Sequence, residues 1–302
     1  MNPTRKYLII GLAVVVLAAG AFFLWPEKQE PLPEPAPPRP VIKSVAVPPP
    51  APPASAPATA PAPQPAPPVP PPIRHPIEEV QALPPKPKPA PKPVPKLAES
   101  DAYLTDALSD LFGKKTALTF FSQEEFVRHS VATVDNLAQG HAASRLWPVV
   151  PTPQRFMIDE RPDGLYMAEG NSARYTPFVR FATSINAAKA AALYARLYPL
   201  FQQAYEELGY PGKYFNDRLV EVIDQLLQAP EMTQPVKLTL TQVQGPVTSS
   251  EPWLRYEFDD PALEALPAGQ KIMIRVGRDN ELALKAKLKE FREHIVKRRS
   301  VR

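Results

Sequence analysis

Residues 205–218 gather the side chains best suited to recognition. They hold four aromatic rings (Tyr205, Tyr210, Tyr214 and Phe215), two glycines, a proline, and Asn216 and Arg218 at the end. Tyr and Arg together are typical of binding hot spots, because each offers a large contact area with a polar tip. The same residues also suit a tight corner between two helices. There the glycines would take left-handed conformations and the rings would fill the core. Both readings stand on sequence alone. Carboxylates cluster nearby. Glu206 and Glu207 are adjacent, and Asp217, Glu221 and Asp224 recur on one helical face. Glycan hydrolysis needs one acid of raised pKa and a second carboxylate. Glu206, Glu207, Asp217 and Glu221 are therefore the catalytic candidates. The competing reading is a solvated face partnered by Arg218 or Lys213.

Other chemistries find little support. Of four histidines, His75 is remote from the other three, and His129, His141 and His294 fall on separate segments without metal-ligand spacing. No cysteine is present, which excludes a thiol nucleophile, a disulfide and a thiolate metal site. Glycine-rich phosphate loops and serine-hydrolase elbows are missing. The sequence therefore predicts no cofactor and no metal.

The elements that must hold these residues are mostly helical. Residues 186–208 are rich in Ala and Leu and apolar on most sides, which predicts a central buried helix kinked at Pro199 and closed by Gly209. Asn216 is expected to cap a helix over 217–228, with Leu219, Val222, Ile223, Leu226 and Leu227 on one face. Ser100 is expected to cap a helix over 101–112 stopped by Gly113. Ser122 and Glu125 have capping-box spacing before a helix carrying Val131, Val134 and Leu137. Thr176 and Pro177 read as the start of another helix. Arg161-Pro-Asp-Gly164 is a hairpin turn between short strands. Residues 236–240 and 253–258 read as a further strand pair. Asp260-Pro261 opens a helical turn, and residues 267–276 lean helical. A last helix, capped by Asp279, should bury Leu284, Leu288, Phe291 and Ile295. The fold class is mainly α with short β-hairpins (α+β), in one C-terminal domain over 97–302.

Ahead of this domain the composition changes. Residues 7–25 form an uncharged apolar run with Tyr7 and Trp25 at its ends. At about 1.5 Å per residue such a helix crosses a bilayer core. Arg5 and Lys6 precede it, so the positive-inside bias places residues 1–6 in the cytoplasm and the rest of the chain across an inner membrane, in the periplasm. A cleaved signal peptide ending near Ala21 is the rival. Residues 26–96 are a low-complexity Pro-rich spacer without glycine, with a stiff polyproline character and a reach of at most about 220 Å. Its early Glu-Pro and late Lys-Pro resemble the spacer of TonB.

Charge is uneven. The net charge of +4 comes from residues 1–97 and from the basic tail 285–302, and the domain is otherwise net acidic. That argues against a nucleic-acid surface. The blocks YPLFQQAYEELGYPGKYFNDRLVEVIDQLL (198–227), FVRHSVATVDNL (126–137), RYTPFV (174–179) and the stretch 256–277 resemble a bacterial family called domain of unknown function 3014. The resemblance implies the layout of membrane helix, Pro-rich stretch and this domain, and it carries over no catalytic residue. The expectation is a membrane-tethered module that binds an envelope protein or cell-wall glycan. The alternative is a cell-wall glycan hydrolase or its regulator.

Overall fold

The computed structural model describes residues 72–77, 93–122, 124–241 and 256–296. The apolar run 7–25, most of the spacer and the end of the basic tail lie outside them. Among the described residues no helix is long and apolar enough to cross a membrane.

The body is α+β, with helices dominating. Helix α1 spans Ser100–Phe112, α2 Lys114–Phe120 and α3 Phe126–Leu137. Strands β1 (Ile158–Arg161) and β2 (Gly164–Met167) follow, then α4 (Asn171–Ser184), α5 (Ala187–Glu207) and α6 (Phe215–Leu227). Strands β3 (Lys237–Leu240) and β4 (Tyr256–Phe258) precede α7 (Pro261–Glu264), α8 (Ala268–Arg275) and α9 (Arg278–Ile295).

Helix α5 is the centre, as its composition predicts. Tyr194, Leu197 and Phe201 are fully buried in it, and it packs on α3, α6 and α9. Its start is capped by Asn186, whose side chain accepts from the Lys189 N–H. Helix α9 buries the four residues its period predicts, Leu284, Leu288, Phe291 and Ile295, against α4, α5 and α6.

Several helix starts differ from the sequence reading. Ser100 is not a cap; its hydroxyl donates to the Leu97 carbonyl from inside the first turn. The box at Ser122 and Glu125 does not form. Glu125 sits at φ 47°, and the free N–H groups of Glu125 and Phe126 are taken by the Asp101 carboxylate on α1, at 2.8 and 3.2 Å. Helix α4 begins at Asn171, so Pro177 lies inside it. Asn171 is fixed there by two bonds to the Met157 backbone, which no local rule reveals. Gly277, at φ 86°, precedes α9 in place of Asp279. At α3 and α4 a contact made beyond the local turn outweighs the local capping preference.

The strands form one four-stranded antiparallel sheet in the order β1-β2-β3-β4, rather than two separate pairs. The Pro162-Asp163 turn is as expected, with Arg161 opposite Gly164. The joining pair, β2 with β3, sets Leu165 opposite Leu238. Its sheet has a small core of its own around Val236, Leu238, Phe258 and Ile274.

Candidate functional site

The corner between α5 and α6 holds the aromatic cluster. Tyr205 and Phe215 are buried, and Tyr210 and Tyr214 are partly buried against the main core. The rings stack on one another, Tyr205 on Tyr210 at 4.6 Å and Phe201 on Phe215 at 6.0 Å between centroids. Gly209 (φ 111°) and Gly212 (φ 73°) turn the chain in conformations that favour glycine. The corner is thus built as the core-filling reading requires. Burial pushes the Tyr205 hydroxyl up to about 12.

Two side chains missed by sequence reasoning lock this corner. Gln202 on α5 donates to the Lys213 carbonyl at 2.8 Å and accepts from the Phe215 N–H at 2.9 Å, so it supplies the first turn of α6 with an acceptor. Asp135 on α3 accepts from the Tyr210 hydroxyl and from Arg218 Nε, each at 2.9 Å. Arg218 also lies 3.3 Å from Glu221. The bond to Asp135 holds the Tyr210 hydroxyl above its ordinary pKa, with burial adding to it.

The carboxylates are dispersed. Glu206 is exposed and accepts from Gln202. Glu207 is exposed and bound by Arg128 Nη2 at 2.9 Å and by Gln203. The Arg128 and Gln203 hydrogen bonds hold the Glu207 carboxyl below the usual range, the direction opposite to that of a general acid. Asp224 pairs with Arg292 on α9. No group of three or more potential ligands able to hold a metal occurs among the described residues.

Asp217 has a different task. Its two oxygens accept the backbone N–H groups of Arg74 and His75, at 2.9 and 2.7 Å. Asn216, predicted as a cap, is fully buried; Tyr214 stands at the cap position. The Asn216 amide donates to the His75 carbonyl at 2.8 Å and to the Ile295 carbonyl at 3.0 Å. Tyr214 Oη accepts from the Ile77 N–H at 2.9 Å, and Ile77 is buried in the main core, 2 % exposed. Residues 72–77, assigned to the spacer by composition, are therefore seated on the body. Beside this seat lies a groove of about 240 Å³ lined by Arg74, His75, Asp217, Val220, Glu221 and Asp224.

Of the six predicted binding residues, Tyr214 and Asn216 build this seat. Tyr205, Tyr210 and Phe215 pack on one another within the α5–α6 corner, and Tyr210 and Arg218 bind Asp135 on α3. The available signal was an Asp in the apolar stripe of α3, since a buried carboxylate must find partners. Nothing local marked His75 or Ile77.

The model of a family described as a protein of unknown function fits residues 126–292, more than half of the 302-residue chain. No curated protein and no solved structure matches.

Proposed function

The chain belongs to the family described as protein of unknown function (DUF3014), and from that premise we propose a non-enzymatic envelope protein. Residues 7–25 anchor it in an inner membrane as a single pass, with residues 1–6 in the cytoplasm and the body in the periplasm. Its task is to bind an envelope protein or cell-wall glycan at the end of a Pro-rich tether.

The observation that carries this reading is the seat for residues 72–77. A tether works best when it leaves the body at a fixed point, and Asp217, Asn216 and Tyr214 supply one. Seating also alters the reach. The spacer ahead of the seat is then residues 26–71, whose contour at about 3.1 Å per residue is at most about 140 Å, against about 220 Å for 26–96.

The hydrolase reading draws on the groove beside Asp217, where Glu221 and Asp224 also lie. Against it, Glu221 and Asp224 are held by Arg218 and Arg292, and Asp217 by two backbone N–H groups. Alanine at Glu206, Glu207 or Glu221 should leave the cellular phenotype intact. Loss from one of these with the fold retained would favour hydrolysis.

Location is tested by Glu124→Cys, at an exposed turn in a chain without other cysteines. A membrane-impermeant maleimide should label it in cells whose outer membrane alone has been opened. Labelling only after complete lysis would overturn the periplasmic assignment.

A further inference from the structure

The seat reads main chain. Asp217 offers its two oxygens to consecutive N–H groups, those of Arg74 and His75. Asn216 donates to the carbonyl of His75. Pro76 has no N–H, so none is left to satisfy at that position. The next N–H, of Ile77, meets Tyr214 Oη, and the Ile77 side chain enters the core. The Arg74 side chain stays largely in solvent, 64 % exposed, with its Nε 4.0 Å from Asp217. Peptide-binding domains divide the labour in this way: backbone hydrogen bonds supply affinity, and one or two side-chain pockets supply specificity. The seat is also braced from behind, because Asn216 donates to Ile295 at the end of α9.

None of these contacts depends on how the segment is joined to the body. Fifteen residues, 78–92, lie between Ile77 and Pro93. Fully extended they span at most about 54 Å, enough for the segment to meet a neighbouring molecule. We propose that the seat is a peptide-recognition site, and that its ligand in trans is the Arg-His-Pro-Ile stretch, residues 74–77, of a second copy of this chain.

The ligand class follows from the atoms. It is a peptide bent at its Arg and His positions, so that two successive N–H groups face one carboxylate, followed by proline and a branched aliphatic residue. The second copy is the source that the geometry favours, because exchange of an identical segment keeps every contact and changes only the connection. Within one molecule the link raises the local concentration of the segment to a degree that its length and stiffness set. Exchange is therefore governed by how crowded the copies are. The inference rests on the seat and not on the membrane anchor, so a test with purified protein separates the two.

The test uses two full-length variants in detergent. Asp217→Ala keeps the segment and breaks the seat, and Ile77→Asp keeps the seat and breaks the segment. Each alone should be monomeric at about 100 μM, and their mixture should form a one-to-one pair, read by fluorescence energy transfer and light scattering. A synthetic peptide of residues 72–77 should dissociate that pair. It should also bind Ile77→Asp at least tenfold more tightly than it binds Asp217→Ala. If the peptide does not bind Ile77→Asp while circular dichroism shows both variants folded, the site is refuted. If it binds but the mixture stays monomeric, the second copy is not the ligand. Should Asp217→Ala fail to fold, Asp217→Asn serves instead, because its NH2 group would face one of the two N–H donors.

Discussion

Asp135 is the single side chain whose removal should cost the α5–α6 corner most. With Arg218 it forms an ion pair whose side chains are only 10 % and 15 % exposed. Removing one partner of a buried pair leaves the other charge uncompensated, at a cost of about 3–5 kcal/mol. Some solvent reaches this pair and Glu221 stays 3.3 Å from Arg218, so Asp135→Ala should lose only about 3 kcal/mol, the low end of that range, in urea unfolding. A loss under about 1 kcal/mol would show that water replaces the carboxylate. Glu207 gives the opposite kind of test, because it is exposed and its effect is on titration. Its carboxyl is held below the free value, first by Arg128 and then by Gln203. A depressed carboxyl contributes stability above its unfolded pKa, and that contribution is lost as pH falls through the folded pKa. In a carbon NMR titration Glu207 should therefore ionise below an ordinary glutamate. Ionisation above about 6 would restore it as a general acid. Sequence picked out Arg218 and Tyr210 but not the carboxylate that joins them, because Asp135 lies some 75 positions from Tyr210.

Helices whose apolar period is long and regular are legible from sequence, and their starts are not. Most buried apolar residues of α6 and α9 follow from their spacing, because burial on one face is a property of the helix itself. On α6 Leu219, Val222, Ile223 and Leu226 are buried as expected, Leu227 only partly, and Val220 is buried in addition. Starts depend on whichever acceptor the fold brings near the free N–H groups. Asp101 on α1 reaches α3, and Gln202 on α5 reaches α6. The sheet divides the same way. The β1–β2 hairpin is set by four residues of turn, while β2 meets β3 through residues more than 70 positions apart. Gly269 in α8 brings a local and a tertiary effect into direct opposition. Glycine to alanine in a helix favours folding by about 1 kcal/mol. Here the added Cβ would lie 2.6 Å from Leu226 Cδ2 on α6 and 3.0 Å from the Leu137 carbonyl oxygen on α3. The leucine can turn aside, but the backbone oxygen cannot. Overpacking of this kind costs about 1–3 kcal/mol, so Gly269→Ala should lower the melting temperature. An unchanged or higher value would mean that α8 shifts freely between its neighbours.

For the whole molecule, composition separates a Pro-rich tract from an ordinary folded region but puts the border in the wrong register for residues 72–77. The six residues look like spacer because two of them, Pro72 and Pro76, are prolines and no period can be read from so few positions. What distinguishes them is the fit of Ile77 and two N–H groups to residues 214–217, some 140 positions away. Ile77→Ala should cost roughly 2–4 kcal/mol, the transfer value of the three carbons removed plus the cavity they leave. Amide hydrogen exchange at Arg74 and His75 should quicken with it. Unchanged exchange would mean that Asp217 alone holds the segment. The seat also makes the stretch 78–92 a bypass, pinned at both ends to the same body. A protease that severs it would break the polypeptide without freeing the domain. The two pieces would travel together through a native gel and part only under denaturing conditions, so a nicked molecule would still be moored.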